Sequence, residues 1–103
     1  MKVMKNEGDV KKHVKAILQA TPKCYWFMPS ATGFGRAGIP DFVGWVDGHA
    51  FVIETKFGSN DCTQHQLIEL NKATVAGAKT WLVRETTLES WIAEFTGWVA
   101  LCS

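Results

Sequence analysis

The sequence predicts a mixed α/β fold with the element order α, β, β, β, α, β, α. Three observations carry this. An amphipathic stretch spans 7–20, an Asp47-Gly48 dipeptide links two β-prone runs, and a second helical stretch over 63–76 is closed by Gly77 and followed by another β-prone run. Asp-Gly between alternating runs is the strongest short hairpin signal. Strand, helix, strand in succession predicts a crossover back onto the same sheet.

Each element has its own warrant. Over 7–20, Val10, Val14, Ile17 and Leu18 recur at helical spacing and the lysines fall mostly elsewhere. Thr21-Pro22 ends that helix. Cys24 to Met28 is a short β-prone run, and a glycine-rich loop follows from Pro29 to Pro40. Asp41 to Val46 and His49 to Phe57 read as the hairpin strands. Gly58 to Asp61 is a loop, and Gly77 suits the C-terminal end of the helix over 63–76. Lys79 to Arg84 is the last strand. Thr87 to Thr96 is the last helix, with Leu88, Trp91, Ile92 and Phe95 on one face. Trp98, Val99 and Leu101 then make an apolar C-terminus, of the kind that packs against a second subunit.

Composition narrows the class. A chain of 103 residues suits one domain, taken as 1–103. With 47% hydrophobic and 20% charged residues it is neither a disordered tail nor a collagen-like repeat. No apolar run reaches the ~18 residues of a membrane span. The first residues lack the apolar stretch of a secretory signal, so a cytoplasmic location is expected. Cys24, Cys62 and Cys102 form no CxxC pair and no disulfide framework. His13, His49 and His65 do not cluster at ligand spacing, which argues against zinc. The first 23 residues hold six lysines against two acids, and the rest five basic residues against eight acids. That asymmetry suits a protein meeting phosphate in one place and metal in another, and equally a solvated helix face.

The hairpin register concentrates the chemistry. A two-residue turn pairs Val46 with His49, so Asp41 faces Glu54, with Cβ atoms expected about 4.5–5.5 Å apart. Lys56 lies two residues beyond Glu54 and emerges on the same side. Phe51, Ile53 and Phe57 occupy the opposite face. Opposed carboxylates repel, and a shared proton, a lysine or a hard divalent cation can offset that. The cation fits best, because Mg²⁺ is commonly held by one or two carboxylates with water and substrate phosphate. Lys56 then stands beside the bound water to orient or deprotonate it.

Pro40-Asp41 followed by Glu54-Thr55-Lys56 resembles the PD-(D/E)xK nuclease signature. The wider string, Gly35-Arg36-Ala37-Gly38-Ile39-Pro40-Asp41-Phe42, Ile53 to Lys56, Thr63-Gln64-His65-Gln66 and Ala76-Gly77-Ala78, resembles the VRR-NUC (virus-type replication–repair nuclease) family over roughly residues 5–84. The resemblance implies a restriction-endonuclease-like αβββαβ core with a mixed central sheet, here with a C-terminal helix. It implies Mg²⁺ or Mn²⁺ held by Asp41, Glu54 and the Thr55 carbonyl, with Lys56 as catalytic lysine. Gln66 matches the family glutamine, and Glu7 is the candidate for an acid in the first helix. Thr63-x-x-Gln66 is also a capping box, and the two roles of Gln66 are compatible. Arg36, in the loop leading to Asp41, suits a DNA phosphate or a solvated loop position.

The expectation is a metal-dependent DNA endonuclease with no small-molecule cofactor and no membrane partner. Its choice of target would rest on DNA shape. Family likeness favours branched DNA such as a four-way junction, cut by a homodimer of phage or prophage type. A non-catalytic DNA-binding module with the same fold is the alternative. A third reading is an unrelated α/β protein, in which Asp41 and Glu54 merely support the hairpin by hydrogen bonding.

Overall fold

Asn6 starts the first helix by accepting a hydrogen bond on its side-chain oxygen from the Asp9 N–H at 2.9 Å, the usual economy of an N-cap. In the computed structural model, which describes residues 3–30 and 37–103, the elements follow the expected order. They are α1 (Glu7–Ala20), β1 (Cys24–Phe27), β2 (Phe42–Val46), β3 (His49–Thr55), α2 (Gln64–Val75), β4 (Lys79–Val83) and α3 (Leu88–Cys102). The sheet order is β1-β2-β3-β4. The first three strands are antiparallel, and β3 pairs parallel with β4. Parallel neighbours need a long crossover, and α2 supplies it.

The hairpin turn fixes the register. Asp47 and Gly48 both have positive φ, 47° and 84°, as a type I′ turn demands. Val46 therefore pairs with His49, and the ladder runs to Phe42 opposite Ile53. A one-residue slip would turn every side chain of one strand to the wrong face. The fully buried Phe42 and Ile53 make such a slip costly. Their inner face meets Val10, Val14 and Leu18 of α1, each large apolar side chain contributing about 1.5–3 kcal/mol on burial.

Most expected bounds hold to within one residue, and two need a larger correction. The last helix, expected over 87–96, runs on to Cys102. Gly97 costs a helix about 1 kcal/mol, but burial of Cys102 and packing of Trp98 on the far side offset it. The apolar C-terminus accordingly packs within the chain. Trp98 lies edge-on to Trp81 at 5.4 Å and to Phe51 at 6.0 Å, Val99 joins the same cluster, and Leu101 is left exposed. The second correction is smaller. Strand β3 stops at Thr55 rather than Phe57, although the Lys56 N–H still donates to the Val83 carbonyl at 3.0 Å and holds the chain's direction.

The three cysteines are free, and burial pushes each thiol above its ordinary pKa. Among the described residues no helix is long and apolar enough to cross a membrane.

Candidate active site

The site forms where β2 begins and β3 ends. Asp41 immediately precedes β2, one step beyond the last ladder pair, and so meets Glu54. Its N–H donates to Glu54 Oε1 at 3.2 Å. Its own carboxylate Oδ2 accepts from the Thr55 N–H at 2.8 Å and the Thr55 hydroxyl at 2.7 Å. The acids are neighbours, as the register predicts, and they are also tied to the strand ends by hydrogen bonds. Asp41 therefore does two jobs, supporting the hairpin and presenting a carboxylate. Its removal costs stability under either reading, so Glu54 is the acid whose replacement separates them.

Glu54 is 2% exposed. Burial and then the Asp41 charge push its pKa up to about 8, against the opposing pulls of Lys56 and the Asp41 N–H. Without a cation, Glu54 therefore holds a proton near neutrality, since a buried carboxylate is costly unless compensated. Lys56 Nζ stands 3.9 Å from Glu54 Oε2, and its side chain is mostly buried. Asp41, Glu54 and Lys56 thus come together.

Helix α1 adds a group that sequence reasoning missed. Lys11 Nζ lies 3.0 Å from Glu7 Oε2 and 3.6 Å from Asp41 Oδ1. Burial lowers its pKa, but the Glu7 hydrogen bond and the Asp41 and Glu7 charges outweigh that and leave it raised. The first-helix lysines read as a solvated face, and for Lys11 that reading fails. The signal was present in the spacing: 7, 11, 14 and 18 form one helical stripe, and Val14 and Leu18 on it are core.

Gln66 is engaged as a cap. Thr63 N–H donates to Gln66 Oε1 at 2.8 Å, and Gln66 N–H to Thr63 Oγ1 at 3.1 Å. The capping box ties the start of α2 to the site through Gly38. Gly38 has φ 80°, and a Cβ there would land on the backbone of His65 and Gln66. Only glycine lets the Pro40-Asp41 segment lie this close to α2. Gly38→Ala is expected to cost on the order of 1–3 kcal/mol in backbone strain alone, with overlap adding to it. Thermal unfolding checks this.

The far side of the site is braced by β4. Arg84 donates to the carbonyls of Gly58 and Asn60 and pairs with Asp61 at 3.0 Å, while Glu85 accepts from the Gly58 N–H. Nothing in the sequence marks this clamp, because it joins segments more than twenty residues apart. Arg36 lies outside the described residues.

The donor set suits a hard divalent cation. Two carboxylates meet there, one of them buried and pushed toward its protonated form by that burial. The Thr55 N–H points at Asp41 and the Lys56 N–H at β4. Since the N–H and C=O of an extended residue project to the same side, the Thr55 carbonyl turns toward Asp41 too. Among the described residues no group of three or more His, Cys, Asp and Glu side chains is gathered as a metal cage.

No family model and no curated protein matches the sequence. Among solved structures, one described as a "VRR_NUC domain" is similar over 84% of this chain and 94% of its own, with a TM-score of 0.69 and 26% identity.

Proposed function

The chain belongs to the VRR-NUC family and carries its nuclease fold, and on that premise we propose that it is a divalent-metal-dependent nuclease that hydrolyses DNA phosphodiester bonds. The observation that carries this is the buried Glu54, bonded to the Asp41 N–H and facing Lys56. Asp41, Glu54 and the Thr55 carbonyl would hold Mg²⁺ or Mn²⁺. When bound, the ion supplies Lewis-acid polarisation of the scissile phosphate and a more acidic water. The chain's own residues do the rest. Thr55 fixes the Asp41 carboxylate through two hydrogen bonds, so its other oxygen is aimed before any ligand arrives. Glu54 would offer its buried carboxylate to the ion. Lys56, its charge directed at the same point, orients the attacking water and balances the charge that builds on the phosphoryl oxygens. Gly38 and the capping box hold the segment before Asp41 in place.

The finer reading is a branched-DNA substrate cut by paired sites of a homodimer. It is supported by the family likeness and by an exposed apolar patch on β1 and β2. There Tyr25 stacks on Trp45 at 4.8 Å with Phe27 beside it. A cleavage panel of duplex, flap, single-stranded and four-way DNA, with Mg²⁺ or with chelator, tests both levels. Expected is metal-dependent cutting that disappears in Asp41→Asn and is fastest on the four-way substrate. Tight DNA binding with no cleavage in any divalent metal would instead favour the non-catalytic module.

A further inference from the structure

We propose that Lys11 fills the place of a second cation, so that this site takes a single divalent ion and Glu7 is not one of its ligands. The proposal rests on the reading of Asp41 and Glu54 as an ion-binding pair. Its evidence is how each oxygen at the site is used. Asp41 Oδ2 is committed to the Thr55 N–H and hydroxyl. Asp41 Oδ1 is therefore the oxygen left for an ion, and its two lone pairs allow one further partner. That partner is Lys11, 3.6 Å away on the α1 side. Glu7 is an acid of the same helix, and Lys11 lies 3.0 Å from its Oε2. The ammonium thus sits between Glu7 and Asp41, where two carboxylates on neighbouring elements would otherwise face each other across a gap.

The arrangement is built rather than incidental. Glu7 and Lys11 are one helical turn apart, which brings their side chains together on the α1 surface. The helix is anchored by the buried Val10, Val14 and Leu18, so the Lys11 backbone is held beside Asp41. Its side chain is 28% exposed, so the charge is only partly screened by water. A divalent ion entering between Glu7 and Asp41 would have to displace or abut this charge. An ion on the Glu54 side meets a looser contact, Lys56 Nζ at 3.9 Å from Oε2, against 3.0 Å between Lys11 and Glu7. The lysine gives the Glu7–Asp41 pair the positive charge it needs, and does so permanently.

The experiment counts manganese bound to the 103-residue chain without DNA, by titration calorimetry and by loss of the free Mn²⁺ paramagnetic resonance signal. Wild type is expected to bind a single ion, lost in Asp41→Asn. Lys11→Met, which keeps the apolar stem, is expected to admit a second ion that Glu7→Gln in the same chain removes. Lys11→Arg is expected to stay at a single ion, and Glu7→Gln alone to leave the first ion's affinity unchanged. A second ion in wild type, or a Lys11→Met variant that still binds only one, overturns the assignment of Lys11 and leaves the Asp41/Glu54 reading standing. Failure of wild type to bind any ion overturns both. Thermal melts of each variant in chelator confirm that the counted protein is folded.

Discussion

Lys56→Ala is expected to slow cleavage by roughly 10²–10⁴-fold, the usual worth of a positioned group in proton transfer, while the metal-free protein stays folded. Lys56 lies just beyond β3, held by its N–H bond to the Val83 carbonyl, so truncating the side chain does not undo the strand. Its ammonium lies 3.9 Å from Glu54 Oε2 and pulls the Glu54 pKa downward. Removing it leaves Glu54 still more reluctant to ionise, so Mn²⁺ affinity is expected to fall modestly as well. Single-turnover rates at saturating metal isolate the chemical step from that weaker binding. Lys56→Arg restores charge but not the compact ammonium, and partial recovery is expected. Cleavage at the wild-type rate by Lys56→Ala would remove Lys56 from the chemistry.

The second large effect is a pH dependence of stability that runs opposite to that of an ordinary salt-bridged acid. Glu54 has a folded-state pKa of about 8 against 4.5 for the free group. Between those values the folded chain holds a proton that the unfolded chain has released. Stability is therefore greatest at the acid end of that window and falls as pH rises through it, by up to about 1.4 kcal/mol per pH unit from this group. Glu54→Gln keeps an oxygen for the Asp41 N–H and cannot ionise, so its unfolding free energy in chelator is expected to be flatter with pH. At the alkaline end it is expected to exceed wild type. Saturating Mg²⁺ is expected to stabilise wild type most at that same end, where Glu54 is most readily ionised, and to do little for Glu54→Gln. Denaturant melts across the window, with Mg²⁺ and with chelator, decide the matter. A wild-type curve no steeper than that of Glu54→Gln would show that Glu54 is not held protonated by its surroundings.

Much of this site could be read before any coordinates because it depends on local rules. Asp47-Gly48 permits one turn, that turn permits one register, and the register brings Asp41 to Glu54 with Lys56 alongside. The capping box at Thr63 and Gln66 is equally local. The length of α3 is not legible in the sequence because Gly97 weakens a helix only in isolation, whereas Trp98 and Cys102 are packed by elements far away in sequence. The role of Lys11 is hidden for a related reason. Its place in the stripe with Val14 and Leu18 was visible, but a lysine on such a stripe reads as solvated until something is seen to receive it.

What the chain's own order of residues determined is the αβββαβα succession, the hairpin register and the meeting of the two acids, since these follow from turn geometry and period alone. Only the folded molecule decided that Glu54 is buried enough to keep its proton, that Lys11 stands between Glu7 and Asp41, and that Arg84 clamps the loop after Lys56. Desolvation and charge pairing are set by what surrounds a group in space, and those surroundings are assembled from segments that no short-range pattern connects.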